Sequence, residues 1–101
     1  MTEPIYVLAT LTIKPGSMEA LRGPALACIE GTRKEKGCIS YDLFVSATDP
    51  DTLVFVERWK TREDLTAHSQ EPHLVAWREA STPHLAARKV EIIHPDKVET
   101  L

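Results

Sequence analysis

Two periods of apolar residues run along this chain, and each change of period marks a boundary between elements. Ile5, Val7, Ala9, Leu11 and Ile13 alternate with Tyr6, Leu8, Thr10 and Thr12, the period-two spacing of a strand with one strongly apolar face. Lys14-Pro15-Gly16 ends it. Ser17 is then a candidate N-cap, and Met18, Leu21, Ala25, Ile29 and Thr32 recur at helical spacing up to a stop at Lys36-Gly37. Pro24 lies inside this helix, where it removes a hydrogen bond to residue 20 and predicts a kink rather than a break. Ile39, Tyr41, Leu43 and Val45 alternate with Cys38, Ser40, Asp42 and Phe44 in a second strand. Thr48-Asp49-Pro50-Asp51 is turn chemistry that returns the chain as an antiparallel hairpin.

The third strand sets Leu53, Phe55, Glu57 and Trp59 on one face and Val54, Val56 and Arg58 on the other. Thr61 then opens a helix as N-cap, with Asp64 where a capping-box acid reaches back. Leu65 and His68, three apart, share one helical face. Pro72 interrupts, and His73 and Trp77, four apart, share another. Helical pieces are therefore expected around 61–70 and 72–80. Ser81-Thr82-Pro83 reads as a loop, and Val90, Ile92 and Ile93 sit in a last strand ending near His94-Pro95.

The order β-α-β-β-α-β, with helices to cover one sheet face and right-handed crossovers, predicts a ferredoxin-like α+β sandwich with an antiparallel sheet. Helices cover only one face of such a sheet. Strands one and three nevertheless carry Leu8, Val54 and Val56 on one side and Ile5, Val7, Leu53 and Phe55 on the other. A homodimer packed sheet face to sheet face is the simplest way to cover the second side.

The chain has 101 residues, 43% of them hydrophobic, which fits one domain with its core at about 5–93; a chain this short gains much from association. A formal net charge of −3 with dispersed lysines and arginines gives no basic stripe for phosphates, so nucleic acid is not an expected partner. The apolar stretches are too short to span a bilayer, and the N-terminus lacks the basic-then-apolar order of a signal peptide, so no membrane association and a cytoplasmic location are expected. Cys28 and Cys38 lack CxxC spacing and are expected as reduced thiols packed as small apolar groups.

Candidate chemistry gathers between residues 54 and 77. His68 and His73 carry the one side chain that exchanges protons near neutral pH, and each is a candidate acid, base or substrate anchor. The structural alternatives are, for His68, a partly buried helix histidine held by one backbone bond and, for His73, a cap on the helix after Pro72. Glu57 interrupts an apolar strand face and must be paired, hydrated or raised in pKa. An ion pair with a neighbour of Arg58, or with Arg88 on the last strand, is its structural reading, and a base for a phenolic substrate its functional one. Trp59 and Trp77 are candidate core and pocket walls, with Leu65 beside them. Tyr41 is a candidate hydroxyl donor to substrate and Phe44 an aromatic wall. No metal site is expected: the histidines are five apart across a proline, and no third ligand is evident.

Gly37-Cys38-Ile39-Ser40-Tyr41-Asp42-Leu43, then Phe55-Val56-Glu57-Arg58-Trp59, Leu65, His68, His73 and Trp77, in that order and spacing, resemble the antibiotic biosynthesis monooxygenase family, including its quinol monooxygenase-like members. The resemblance runs from about Ile5 to Ile93. It implies a dimeric α+β barrel of ferredoxin-like subunits. It also implies oxidation of a small activated aromatic such as a quinol by O₂, with no metal or flavin cofactor. Some relatives degrade haem or isomerise small signalling molecules, so an isomerase of a small carbonyl compound, using the same acid and base without oxygen, stands as an alternative; a non-catalytic binding or stress-related module, which needs only the pocket's shape and apolar walls, is another. Many relatives have a histidine directly after the YxL of strand two. Here that position is Phe44, and the resemblance carries no proton-transfer role to it.

Overall fold

The structure, a computed structural model, describes residues 3–101. Strands β1 (Ile5–Ile13), β2 (Cys38–Val45), β3 (Thr52–Trp59) and β4 (Leu85–Ile93) form one sheet in the order β2-β3-β1-β4, with every neighbouring pair antiparallel. Helix α1 (Met18–Arg33) links β1 to β2, while α2 (Arg62–His68), α3 (Pro72–Ser81) and a 3₁₀ turn (Thr82–His84) link β3 to β4. This is the ferredoxin-like α+β architecture that the element order predicts. The second helical region is split where Pro72 stands, because a proline has no N–H for a continuing helix but is suited to the first turn of a new one.

Alternation decides which side of the sheet meets the helices. Leu53, Phe55, Glu57 and Trp59 are buried while Val54, Val56 and Arg58 are half-buried. Ile5, Val7, Leu11 and Ile13 of β1 face the same way, and Leu21, Ala25 and Cys28 of α1 with Leu74 and Trp77 of α3 close over them. Burying each large aliphatic side chain of this set is worth roughly 1.5–3 kcal/mol. Cys28 and Cys38 are free thiols. No helix among the described residues is long and apolar enough to cross a membrane.

Local chemistry departs from the expected pattern in three places. Ser17 precedes α1 but makes no cap bond; its hydroxyl lies 2.9 Å from His84 Nδ1, tying the start of α1 to the turn before β4. Thr61 does cap α2, accepting from the Asp64 N–H at 3.1 Å. The Asp64 carboxylate, however, packs against Gly37 rather than reaching back. Gly37 sits at φ +85°, and a Cβ there would collide with Asp64, so glycine is required on both counts.

The third departure is a bulge at the start of β2. Cys38 pairs with Trp59 and Ser40 with Arg58, leaving Ile39 as the extra residue. Strict alternation puts Ile39 beside Tyr41 in the core; the bulge turns it out and brings Cys38 to the core side. Phe44 lies opposite Val54, on the sheet face away from the helices, and is 54% exposed.

Candidate functional site

Between the helix-side face of the sheet and the α2–α3 arm lies a cavity of about 460 Å³. Its floor is built by Val7 and Ala9 of β1, Tyr41 of β2, and Phe55 and Glu57 of β3, and its wall by Leu65, His68, Leu74 and Trp77. Val90 and Ile92 of β4 close the far side. The lining is apolar because it is the core face of the sheet, left unfilled where the short α2 turns away into α3. Arg62, Arg78 and Arg88 also contribute to the lining. All three are exposed, and none is ion-paired with an acid among the described residues.

Glu57 is the one carboxylate in this lining, and it is 5% exposed. Its Oε1 accepts a 2.9 Å hydrogen bond from Trp59 Nε1. Burial pushes its pKa up to about 7, against the opposing effect of that bond. The ion pair with Arg88 does not form. Strand order explains this: β1 stands between β3 and β4, and on β1 Glu57 is opposite Val7 whereas Arg88 is opposite Leu11.

His68, at the end of α2, is 4% exposed and lines the cavity. Neither structural alternative holds for the histidines, because both rings bond to a side chain. His68 Nδ1 lies 2.6 Å and His73 Nε2 2.7 Å from the same oxygen, Oε2 of Glu35. Burial pulls the His68 pKa below the ordinary imidazole value, and the bond to Glu35 works against that shift. Glu35 follows the C-terminus of α1, so the contact spans 33 and 38 residues of sequence. Nothing local announces it. Lys34 and Lys36 flank Glu35, the pattern of a solvated helix end, and only the packing of α1 on α3 buries it.

Glu35 also supplies the third ligand type that the sequence does not reveal, and donor atoms of Glu35, His68 and His73 all lie within 4.8 Å of one another. Their closest separations are nevertheless those of hydrogen bonds. Donors on a tetrahedral cation at about 2.0–2.1 Å stand about 3.3 Å apart, farther than either imidazole nitrogen stands from Glu35 Oε2.

The remaining candidates divide. Tyr41, Leu65 and Trp77 line the cavity, Trp77 meeting Phe55 edge-on at 5.6 Å between ring centroids. The Tyr41 hydroxyl faces Cys28 Sγ at 3.8 Å, and burial raises its pKa. Tyr41 thus offers its ring. Trp59 is fully buried behind Glu57, with its ring 4.8 Å from that of His68; it supports the lining without joining it. His73 stands behind His68, their ring centroids 6.1 Å apart. Phe44 is no wall of this cavity, since the pleat sends it to the opposite face.

Relatives share this frame at both levels of comparison. "Putative monooxygenase Rv0793" of Mycobacterium tuberculosis is 40% identical over 92 residues, 91% of this chain and 89% of that protein. Its solved structure superposes with a TM-score of 0.87, covering 97% of this chain and 100% of the other at 33% identity. "Probable quinol monooxygenase YgiN" of Escherichia coli K12 is 27% identical, over 90% of this chain and 97% of that protein. The solved "Putative antibiotic biosynthesis monooxygenase from Nitrosomonas europaea" matches with a TM-score of 0.89 at 27% identity, covering 94% of this chain and 92% of that one. The sequence profile described as antibiotic biosynthesis monooxygenase spans residues 4–80, from the first strand to the helix that carries His73 and Trp77, and by that match the chain belongs to the antibiotic biosynthesis monooxygenase family.

Proposed function

We propose that the protein is a cofactor-independent monooxygenase that oxidises a small activated aromatic, of the quinol type, with O₂. The observation that carries this reading is the pairing, in one apolar cavity, of a carboxylate raised to about 7 with a buried imidazole lowered from its ordinary value. Two titratable groups pushed toward each other's range from opposite sides can exchange acid and base roles near neutral pH. His68, neutral at pH 7, takes a proton from the substrate. Glu57, close to half protonated, accepts or returns another. The substrate anion so formed is the reductant that O₂ requires, and the apolar lining keeps water from it. The unpaired Arg62, Arg78 and Arg88 favour that anion electrostatically. One oxygen atom enters the product, and the other leaves as water with two hydrogens of the substrate.

Trp77, Phe55, Tyr41 and Leu65 hold the ring by area and stacking. The name of the Escherichia coli relative agrees with a quinol. Oxygen uptake by purified, metal-free protein with a panel of hydroquinones tests the proposal, and uptake above autoxidation is expected. Equal turnover under nitrogen marks an isomerase instead, and ligand-induced stabilisation without turnover a binding module.

We further propose that two copies pack through the uncovered sheet faces. Leu8, Val54 and Val56 are only half-buried there, Phe44 is exposed, and Arg58 Nε is buried with no hydrogen-bond partner. A buried guanidinium nitrogen without an acceptor is costly, and a second copy is a source of one.

A further inference from the structure

Two features go beyond the proposed function: the Glu35–His68–His73 cluster and the uncovered edge strand β4. The cluster is the only one whose partners are all in place. One carboxylate oxygen receives two imidazole nitrogens at 2.6 and 2.7 Å, with the side chains of His68 and Glu35 only 5% and 9% exposed. An oxygen that accepts from both rings requires a proton on each facing nitrogen, His68 Nδ1 and His73 Nε2. The neutral His68 ring then has its lone pair on Nε2. That atom has no protein partner among the described hydrogen bonds and is absent from the buried unpaired atoms, on a side chain that lines the cavity.

We infer that Glu35 is the positioning residue of this site: it fixes His68 as the Nδ1–H tautomer, so that Nε2 is the proton acceptor toward the substrate. His73 is the second donor to the same oxygen and holds the carboxylate in line. When a substrate O–H or C–H proton moves to Nε2, the bonding pair stays on the substrate, and Glu35 faces the imidazolium that results. His73 therefore acts through Glu35 and not on the substrate. Gly31 belongs to the same device. A Cβ there would stand 2.7 Å from His73 Cγ, so α1 approaches α3 closely enough for Glu35 to reach both rings only because residue 31 has no side chain.

The role assigned to Glu35 in turnover rests on the proposed acid–base chemistry; the tautomer does not. The test is accordingly nitrogen-15 NMR of histidine-labelled protein at a pH where His68 is neutral. The parent is expected to show His68 protonated at Nδ1 and bare at Nε2. Glu35→Leu, which offers no acceptor, should lose that preference, and Glu35→Asp should retain it. With an authentic substrate, Glu35→Leu lowers kcat by a factor on the order of 10² or more, the worth of a positioned base. A parent with Nε2–H and bare Nδ1 overturns the inference without any variant having to fold, and so does an unchanged His68 signature in folded Glu35→Leu. The expected tautomer together with no oxygen-dependent turnover leaves the inference standing and removes the monooxygenase reading.

Discussion

Trp59 Nε1 donates a 2.9 Å hydrogen bond to Glu57 Oε1, and both residues belong to the buried face of one strand, two positions apart. The bond stabilises the charged carboxylate, yet burial outweighs it and leaves the pKa at about 7. Glu57 therefore binds its proton more tightly folded than unfolded. Its contribution to stability is fully present below pH 4.5 and is lost as pH rises through about 7. A shift of this size corresponds to about 3 kcal/mol. Glu57→Gln keeps an acceptor for Trp59 without the charge. Its melting temperature should exceed the parent's above pH 7 and match it near pH 4, while activity falls. A variant less stable than the parent at pH 8 would show that the carboxylate is held by a partner strong enough to offset its burial.

His68 shifts the other way. Burial depresses its pKa, so its stabilising contribution is present above the unfolded value near 6.5 and is lost as pH falls below it. His68→Gln should reduce the acid sensitivity of folding as pH falls below about 6.5 in thermal melts. Turnover at neutral pH should fall by a factor on the order of 10². Parent-like turnover with an authentic substrate would take the base away from His68.

Gly31→Ala tests the close approach of α1 and α3. In an ordinary helix the change gains about 0.5–1 kcal/mol. Here the new methyl would meet His73 Cγ and Nδ1 at 2.7 and 2.8 Å. These atoms lie near the backbone of α3 and cannot simply swing away. A net loss of about 1–3 kcal/mol is expected in urea denaturation, as for overpacking, together with the His68 signal change assigned to loss of Glu35.

Val56→Glu tests the sheet face. Light scattering of the parent at micromolar concentration should give twice the chain mass of 11.3 kDa. The variant, with a charge placed on that face, should run as a monomer or fail to fold. A parent that is a stable monomer ends the dimer proposal outright.

What the amino-acid order determined by itself is whatever depends on neighbours a few residues apart. The alternation at Leu53, Phe55, Glu57 and Trp59 marks the buried face, because successive strand side chains point to opposite sides. Thr61 announces the start of α2 because its hydroxyl needs only the N–H three residues on, and Pro72 announces the break before α3. Glu57 is legible as anomalous because a charge on an apolar face stands out. The tertiary structure decided the rest. Ile39 turned outward because the bulge is a property of two strands paired. Glu35 looks like a solvated helix end between two lysines, and only the docking of α1 on α3, across the bare Cα of Gly31, makes it the shared partner of His68 and His73. Hydrogen bonds that close over more than thirty residues leave no local periodicity, so no short-range pattern could have shown them.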